Sequence, residues 1–225
     1  MEQHHDVPQR PSQVLAQQVR AWRDRRGLSA QQLADRIAAS GGKLDRQAIS
    51  KIEVSGRGVR LEEWLQLAYA LGVPPLTLVF PAGREQTIEV LPGQPVDTWR
   101  AAKWFTGEAP FPRHDSSVYV VGEDDRPDPE FEEGVASLRL LRDHDRYVEL
   151  RLEATTAALV EHLGADAAQT DSERESHLAE ARTHDYYVRG WDDRIRQVRL
   201  SMRRIGLGLP PLPHFLRHLD AEVGT

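Results

Sequence analysis

The sequence predicts a mainly α protein. Five short helices form an N-terminal domain, a short mixed connector follows, and the chain ends in a long helical hairpin or coiled coil. Three observations carry this expectation. Over residues 11–80, apolar residues recur at helical spacing between recognisable cap signals. Proline and glycine then crowd residues 84–125. Beyond Pro129, apolar residues step by three and four, the spacing of a heptad seam.

Residues 1–10 (MEQHHDVPQR) are polar and proline-punctuated, and are expected to form a mobile arm. Pro11–Arg26 reads as the first helix, on Val14, Leu15, Val19 and Trp22, with Gly27 as its stop. Ser29 and Gln32 make a capping box that opens the second helix, whose inner stripe is Leu33, Ala34 and Ile37. Gly41–Gly42 ends it. Asp45 is a good N-cap for a third helix with Ala48, Ile49 and Ile52 inward, closed by Ser55–Gly56. Leu61–Leu71 forms the fourth, and Pro74–Pro75 opens a short fifth, Leu76–Phe80. Together these make a compact domain over residues 11–83.

In the connector, residues 84–125, Thr87–Leu91 and Ser117–Val121 read as short strands. Asp97–Phe105 between them reads as a helix carrying Trp99 and Trp104. Residues 126–225 are long and helical. One run is Leu138, Leu141, Val148, Leu152, Thr155 and Leu159, with Asp145 in one slot. A cleaner run is Ala181, His184, Val188, Trp191, Ile195, Val198, Met202 and Ile205. Gly164–Ala168 permits a turn between them. The seam of Val188, Trp191, Ile195, Val198 and Met202 either packs on the other helix of the same chain or pairs two subunits, and a dimerising hairpin satisfies both. Gly206–Gly208 and three prolines end the second run, and a short helix, His214–Ala221, is expected to fold back.

The absence of cysteine excludes disulfides and thiolate metal sites. No apolar run approaches the ~18 residues of a membrane span, so the expected location is the cytoplasm, in association with the nucleoid. Charge is uneven. Residues 1–83 hold eleven of the 29 Lys and Arg but only eight of the 35 Asp and Glu, so a basic front precedes a strongly acidic remainder. No Gly-rich phosphate loop, nucleophile elbow or HExxH is present. Glu173–His177 and Glu180–His184 are Glu-x-x-x-His pairs, with Glu161–His162 on the other run. The di-iron spacing is Glu-x-x-His, and surface charge on a long helix explains these residues. No catalytic site, metal or cofactor is expected.

The stretch Leu28–Pro81 contains LSAQQLADRI, then DRQAISKIE, then LEEWLQLAYALGVPP. These words resemble the second helix, the recognition helix and the core-closing helix of the Cro/C1-type (XRE-family) helix-turn-helix domain, in versions common in actinobacterial regulators. The resemblance covers about residues 11–81. It implies a transcriptional regulator binding double-stranded DNA, with Arg46, Gln47, Ser50 and Lys51 meeting base edges. Such a helix must hold one side on the core, here with Ala48, Ile49 and Ile52, and leave the other free for the major groove. There Arg pairs bidentately with guanine and Gln with adenine. Lys43, Arg57 and Arg60 flank the helix and suit phosphates. Ala30 stands where many relatives carry a phosphate-contacting Gln, so Gln31 or Gln32 must substitute. The turn AASGGKL is longer than in short-turn members. Repression by a homodimer at an operator is the commoner outcome for this family. An antitoxin or mobile-element control protein, and an interaction scaffold with a vestigial helix-turn-helix, are the alternatives. A regulatory protein or a small-molecule effector is the further expected partner of the acidic C-terminal part.

Overall fold

The computed structural model describes residues 9–55, 57–81, 83, 87–112 and 128–221. The chain divides into two compact units, Met1–Arg126 and Pro127–Thr225.

The first unit opens with five helices: α1 (Pro11–Arg25), α2 (Ala30–Ala39), α3 (Arg46–Ser55), α4 (Leu61–Leu71) and α5 (Pro75–Val79). Pro11 sits in the first turn of α1, where its missing N–H costs nothing. The capping box at α2 forms as the residue types require. Gln32 N–H donates to Ser29 Oγ at 3.2 Å, and Ser29 N–H to Gln32 Oε1 at 2.8 Å. Asp45 Oδ1 accepts from Ala48 N–H at 2.7 Å and starts α3. Leu15, Val19, Leu33, Ile37, Ile49, Ile52, Leu67, Leu71 and Leu78 close one core between the helices. Trp64 Nε1 donates to the Pro75 carbonyl at 2.9 Å and ties α4 to α5.

Strands β1 (Thr87–Leu91) and β2 (Gln94–Asp97) then form an antiparallel hairpin, followed by α6 (Thr98–Phe105). Sequence reading found β1 and α6 but missed β2, because Pro95 argues against a strand. The ribbon tolerates it because β2 pairs only with β1 and its other edge makes no strand pairing. The expected strand Ser117–Val121 lies outside the described residues. Asp97 Oδ1 accepts from Arg100 N–H at 2.9 Å and caps α6. Ile88, Val96, Ala101 and Ala102 share a second core with Val14 and Phe80.

In the second unit, α7 (Pro129–Ala167) and α8 (Asp171–Arg204) are packed together. Asp128 caps α7. Thr170 and Glu173 form a capping box at α8. The seam on α8 is covered from within the chain: Ile195, Val198 and Met202 are buried, and Val188 and Trp191 are half-buried. Trp191 stacks on Tyr147 of α7, ring centroids 5.7 Å apart. Arg151 Nε meets Asp192 Oδ1 at 3.1 Å across the same interface.

Two expectations for α7 need correction. Gly164 does not make the turn, since the helix continues to Ala167. A Cβ at Gly164 would sit 2.8 Å from the His177 imidazole, so this glycine admits a side chain of α8. Nor do the heptad leucines of α7 form its inner face. Leu138, Leu152 and Leu159 are 46%, 37% and 57% exposed, while Ala154, Ala158 and Ala165 are buried. Small residues let α8 approach closely, and this turns the larger leucines outward.

The chain then folds back as expected, but in two pieces: a 3-10 turn at His214–Leu216 and α9 (His218–Ala221). Leu212, Leu216 and Leu219 pack on Ile195, Tyr147 and Val148. Arg199 is buried beneath this segment. Its Nε and Nη2 donate to Asp220 Oδ1 at 2.9 and 2.6 Å, and its Nη1 to the Pro210 carbonyl at 2.8 Å. Nη1 also donates to Nε2 of buried His144 at 2.9 Å. An imidazole that accepts at Nε2 carries its proton on Nδ1, which faces Asp145 Oδ1 at 3.2 Å.

Candidate nucleic-acid interface

Helix α3 presents two chemically different sides. Ile49 and Ile52 are fully buried and Ala48 is packed against the core. At 3.6 residues per turn, Arg46, Gln47, Ser50 and Lys51 fall within the opposite arc. Arg46, Gln47 and Lys51 are exposed and Ser50 is half-buried. The arc lies on the first two turns of the helix and carries only polar and cationic groups.

The pose of α3 is fixed at both ends. At its far end, Arg23 of α1 grips Glu53 with both forks, Nε to Oε1 at 2.7 Å and Nη2 to Oε2 at 2.9 Å. Arg23 Nη1 also donates to the Leu28 carbonyl at 2.7 Å. The Glu53 hydrogen bond, opposed by burial, holds the Arg23 guanidinium above its ordinary pKa. Glu53 therefore ties the far end of α3 to α1. At the near end, residues 40–45 link α2 to α3, and buried Leu44 pins the link to the core. A Cβ on Gly42 would fall 2.4 Å from Ile37 Cγ2 and 2.8 Å from Gln66 Oε1, so the link lies flat on α2 and α4 only as glycine. Lys43 stands exposed on it.

The segment after α3 is organised by Glu63, which sequence reading missed. Its Oε1 accepts from Arg57 Nη2 at 2.9 Å and its Oε2 from Arg60 N–H at 3.0 Å. A Glu three residues past a helix start was the available signal. The Arg57 hydrogen bond is the main reason the Glu63 carboxyl sits below its ordinary pKa of 4.5, with Arg60 N–H adding to it and burial opposing. Of the four expected phosphate contacts, Lys43 and Arg60 project into solvent. Arg57 is half-buried with its charge partly met by Glu63, and Gln31 Nε2 donates to Asp35 at 2.8 Å. Because the folded carboxyl is the stronger acid, this pair's contribution is full above about pH 4.5. It is lost as pH falls through the folded value. We expect Glu63→Gln to flatten the acid limb of a stability profile of this unit, and an unchanged limb contradicts the assignment.

A helix with one buried stripe, a link and a second helix with an exposed polar front match a known arrangement: residues 14–78 match the family described as helix-turn-helix domain. This part of the chain is a helix-turn-helix domain. The match runs from α1 through α5 and covers every expected base and phosphate contact. No curated protein matches the chain. No solved structure matches it. The helix-turn-helix domain points to a DNA-binding regulator. No helix among the described residues is long and apolar enough to cross a membrane.

The expected seam residues all lie in the second unit. Among the described residues there is no group of three or more His, Cys, Asp or Glu placed to hold a metal. His177 Nδ1 instead meets Glu161 Oε2 at 2.7 Å, and His162 Nε2 meets Asp185 Oδ2 at 3.4 Å. His184 lies against Tyr187, ring centroids 6.5 Å apart.

Proposed function

We propose that the protein is a sequence-specific transcriptional regulator of the Cro/C1 type that binds double-stranded DNA through α3, most simply as a repressor occupying an operator in the cytoplasm. The observation that carries this reading is the Arg46, Gln47, Ser50, Lys51 arc, solvent-facing on a helix clamped at both ends within a helix-turn-helix domain. A major groove admits an α-helix, and these side chains match its donor and acceptor patterns. Selection from a pool of random duplexes tests it. The regulator enriches one motif, whereas a scaffold with a vestigial domain enriches none.

Lys43, Arg57, Arg60 and Gln31 are assigned to phosphates. Phosphates repeat along every duplex, so Lys43→Ala or Arg60→Ala weakens selected and random DNA alike. Each makes the salt dependence shallower by about one unit. A full salt slope in both variants contradicts phosphate contact.

A single domain of this kind reads a short half-site, so we assign function to a homodimer joined through the second unit. The α8 seam is already occupied by α7, and the subunit contact lies on another surface of that unit. Light scattering of the full chain with and without operator reads the mass directly, and a monomer in both conditions contradicts the dimer.

A further inference from the structure

The outward side of α7 leaves a line of large apolar residues uncovered. Leu159, Val160 and Leu163 are 57%, 57% and 59% exposed, and Leu152 continues the line two turns before Leu159. Leu152, Thr156, Leu159 or Val160, and Leu163 recur at helical spacing and so share one face. Along that face runs a shallow groove of about 570 Å³, lined by Leu152, Glu153, Thr156, Ala157, Val160 and Glu161. A continuous exposed stripe of this kind marks an interaction surface rather than ordinary scatter.

The charge around the stripe identifies what fits it. Asp145, Glu149, Glu153 and Asp166 are exposed on or beside the face. Arg151 turns inward to Asp192, and Arg146 pairs with Glu149 on the rim itself, so Asp145, Glu153 and Asp166 carry the rim's net negative charge. A second copy of α7 is a poor occupant. Parallel pairing sets each carboxylate against itself, and antiparallel pairing about the groove sets Asp145 near Asp166, so these carboxylates repel in either orientation. A helix with an apolar stripe flanked by Lys or Arg meets both features at once.

We propose that the outward face of α7 docks a basic amphipathic helix of another protein. The apolar stripe supplies the contact, and the carboxylate rim supplies orientation and on-rate. This surface goes beyond the DNA-binding reading and does not depend on it. It would let a protein partner engage the regulator through the acidic unit.

The test uses the full chain and a fluorescent 18-residue helical peptide of Leu and Lys with its leucines on one face, at about physiological salt. Two control peptides accompany it: the same composition scrambled to remove the stripe, and a version with Glu in place of Lys. The amphipathic Lys peptide should bind. The scrambled peptide should bind at least about tenfold more weakly, and the Glu peptide not at all. The double substitution Leu159→Ser and Leu163→Ser should weaken binding about tenfold, and Glu149→Gln with Glu153→Gln several-fold. All four side chains are exposed, so helicity by circular dichroism should be retained. Val160→Ser offers a milder variant if the Leu pair perturbs α7. Equal binding of the scrambled peptide would reduce the effect to bulk charge attraction and overturn the proposal. Undiminished binding by the Leu and Val variants would do the same. A halved particle mass for the Leu159 and Leu163 variant would assign the stripe to a second copy, overturning this inference while supporting the homodimer proposed above.

Discussion

Arg199→Ala should lower the stability of the C-terminal unit by about 3 kcal/mol, the usual cost of removing one partner from a buried charged network. Arg199 is 2% exposed and satisfies Asp220, the Pro210 carbonyl and His144 at once. Its loss leaves a buried imidazole nitrogen and a carbonyl without a donor. Asp220 is partly open to water and can rehydrate, which keeps the figure at the lower end of the range. The damage should concentrate in the returning segment, because Arg199 holds both of its ends. Hydrogen exchange should quicken at residues 214–221 before the α7–α8 interface loosens, and the urea midpoint should fall. Unchanged exchange in that segment contradicts the role assigned to Arg199.

Glu53→Ala should cost the N-terminal unit somewhat less, about 2 kcal/mol, because the Arg23 guanidinium loses both fork contacts but keeps Asp24 Oδ1 at 2.8 Å and the Leu28 carbonyl at 2.7 Å. Both side chains are largely buried, at 14% and 8% exposure, so solvent screening does little to soften the loss. Glu53→Gln keeps one acceptor and should fall between the two. Because the pair joins α1 to α3, specific DNA affinity should drop with stability. Thermal unfolding and DNA titration of the same samples check both parts. A Glu53→Ala protein as stable as the unaltered chain contradicts the clamp.

Much of this was legible in the sequence because the signals are local. Ser29 and Asp45 announce helix starts through side chains that bond a backbone N–H only three residues on. Ile49 and Ile52 against Arg46, Gln47 and Lys51 give an amphipathic pattern that only one helical rotation satisfies. What escaped depends on long-range partners. Arg23 and Glu53 lie thirty residues apart, and Arg199 meets His144 across fifty-five, distances at which a polar residue carries no mark of its partner. The face of α7 was misread for a different reason. Leucines at 138, 152 and 159 carry a strong hydrophobic signal, whereas Ala154, Ala158 and Ala165 carry a weak one, yet close helix approach favours the small residues. Gly164 shows the same physics: a glycine that looks like a turn is the space that His177 fills.

The central claim is that α3 reads base edges, and the most direct measurement is the affinity of Arg46→Ala and Gln47→Ala for the selected operator and for a scrambled duplex at one fixed salt concentration. Both residues sit on the exposed first turn of α3, so their removal should leave the fold intact. The account predicts a loss of roughly 1–3 kcal/mol on the operator for each, with relaxed preference at one or two base pairs. On the scrambled duplex, Gln47→Ala should change little and Arg46→Ala should lose only what one cation contributes to any DNA. Operator affinity equal to that of the unaltered chain in both variants would contradict it.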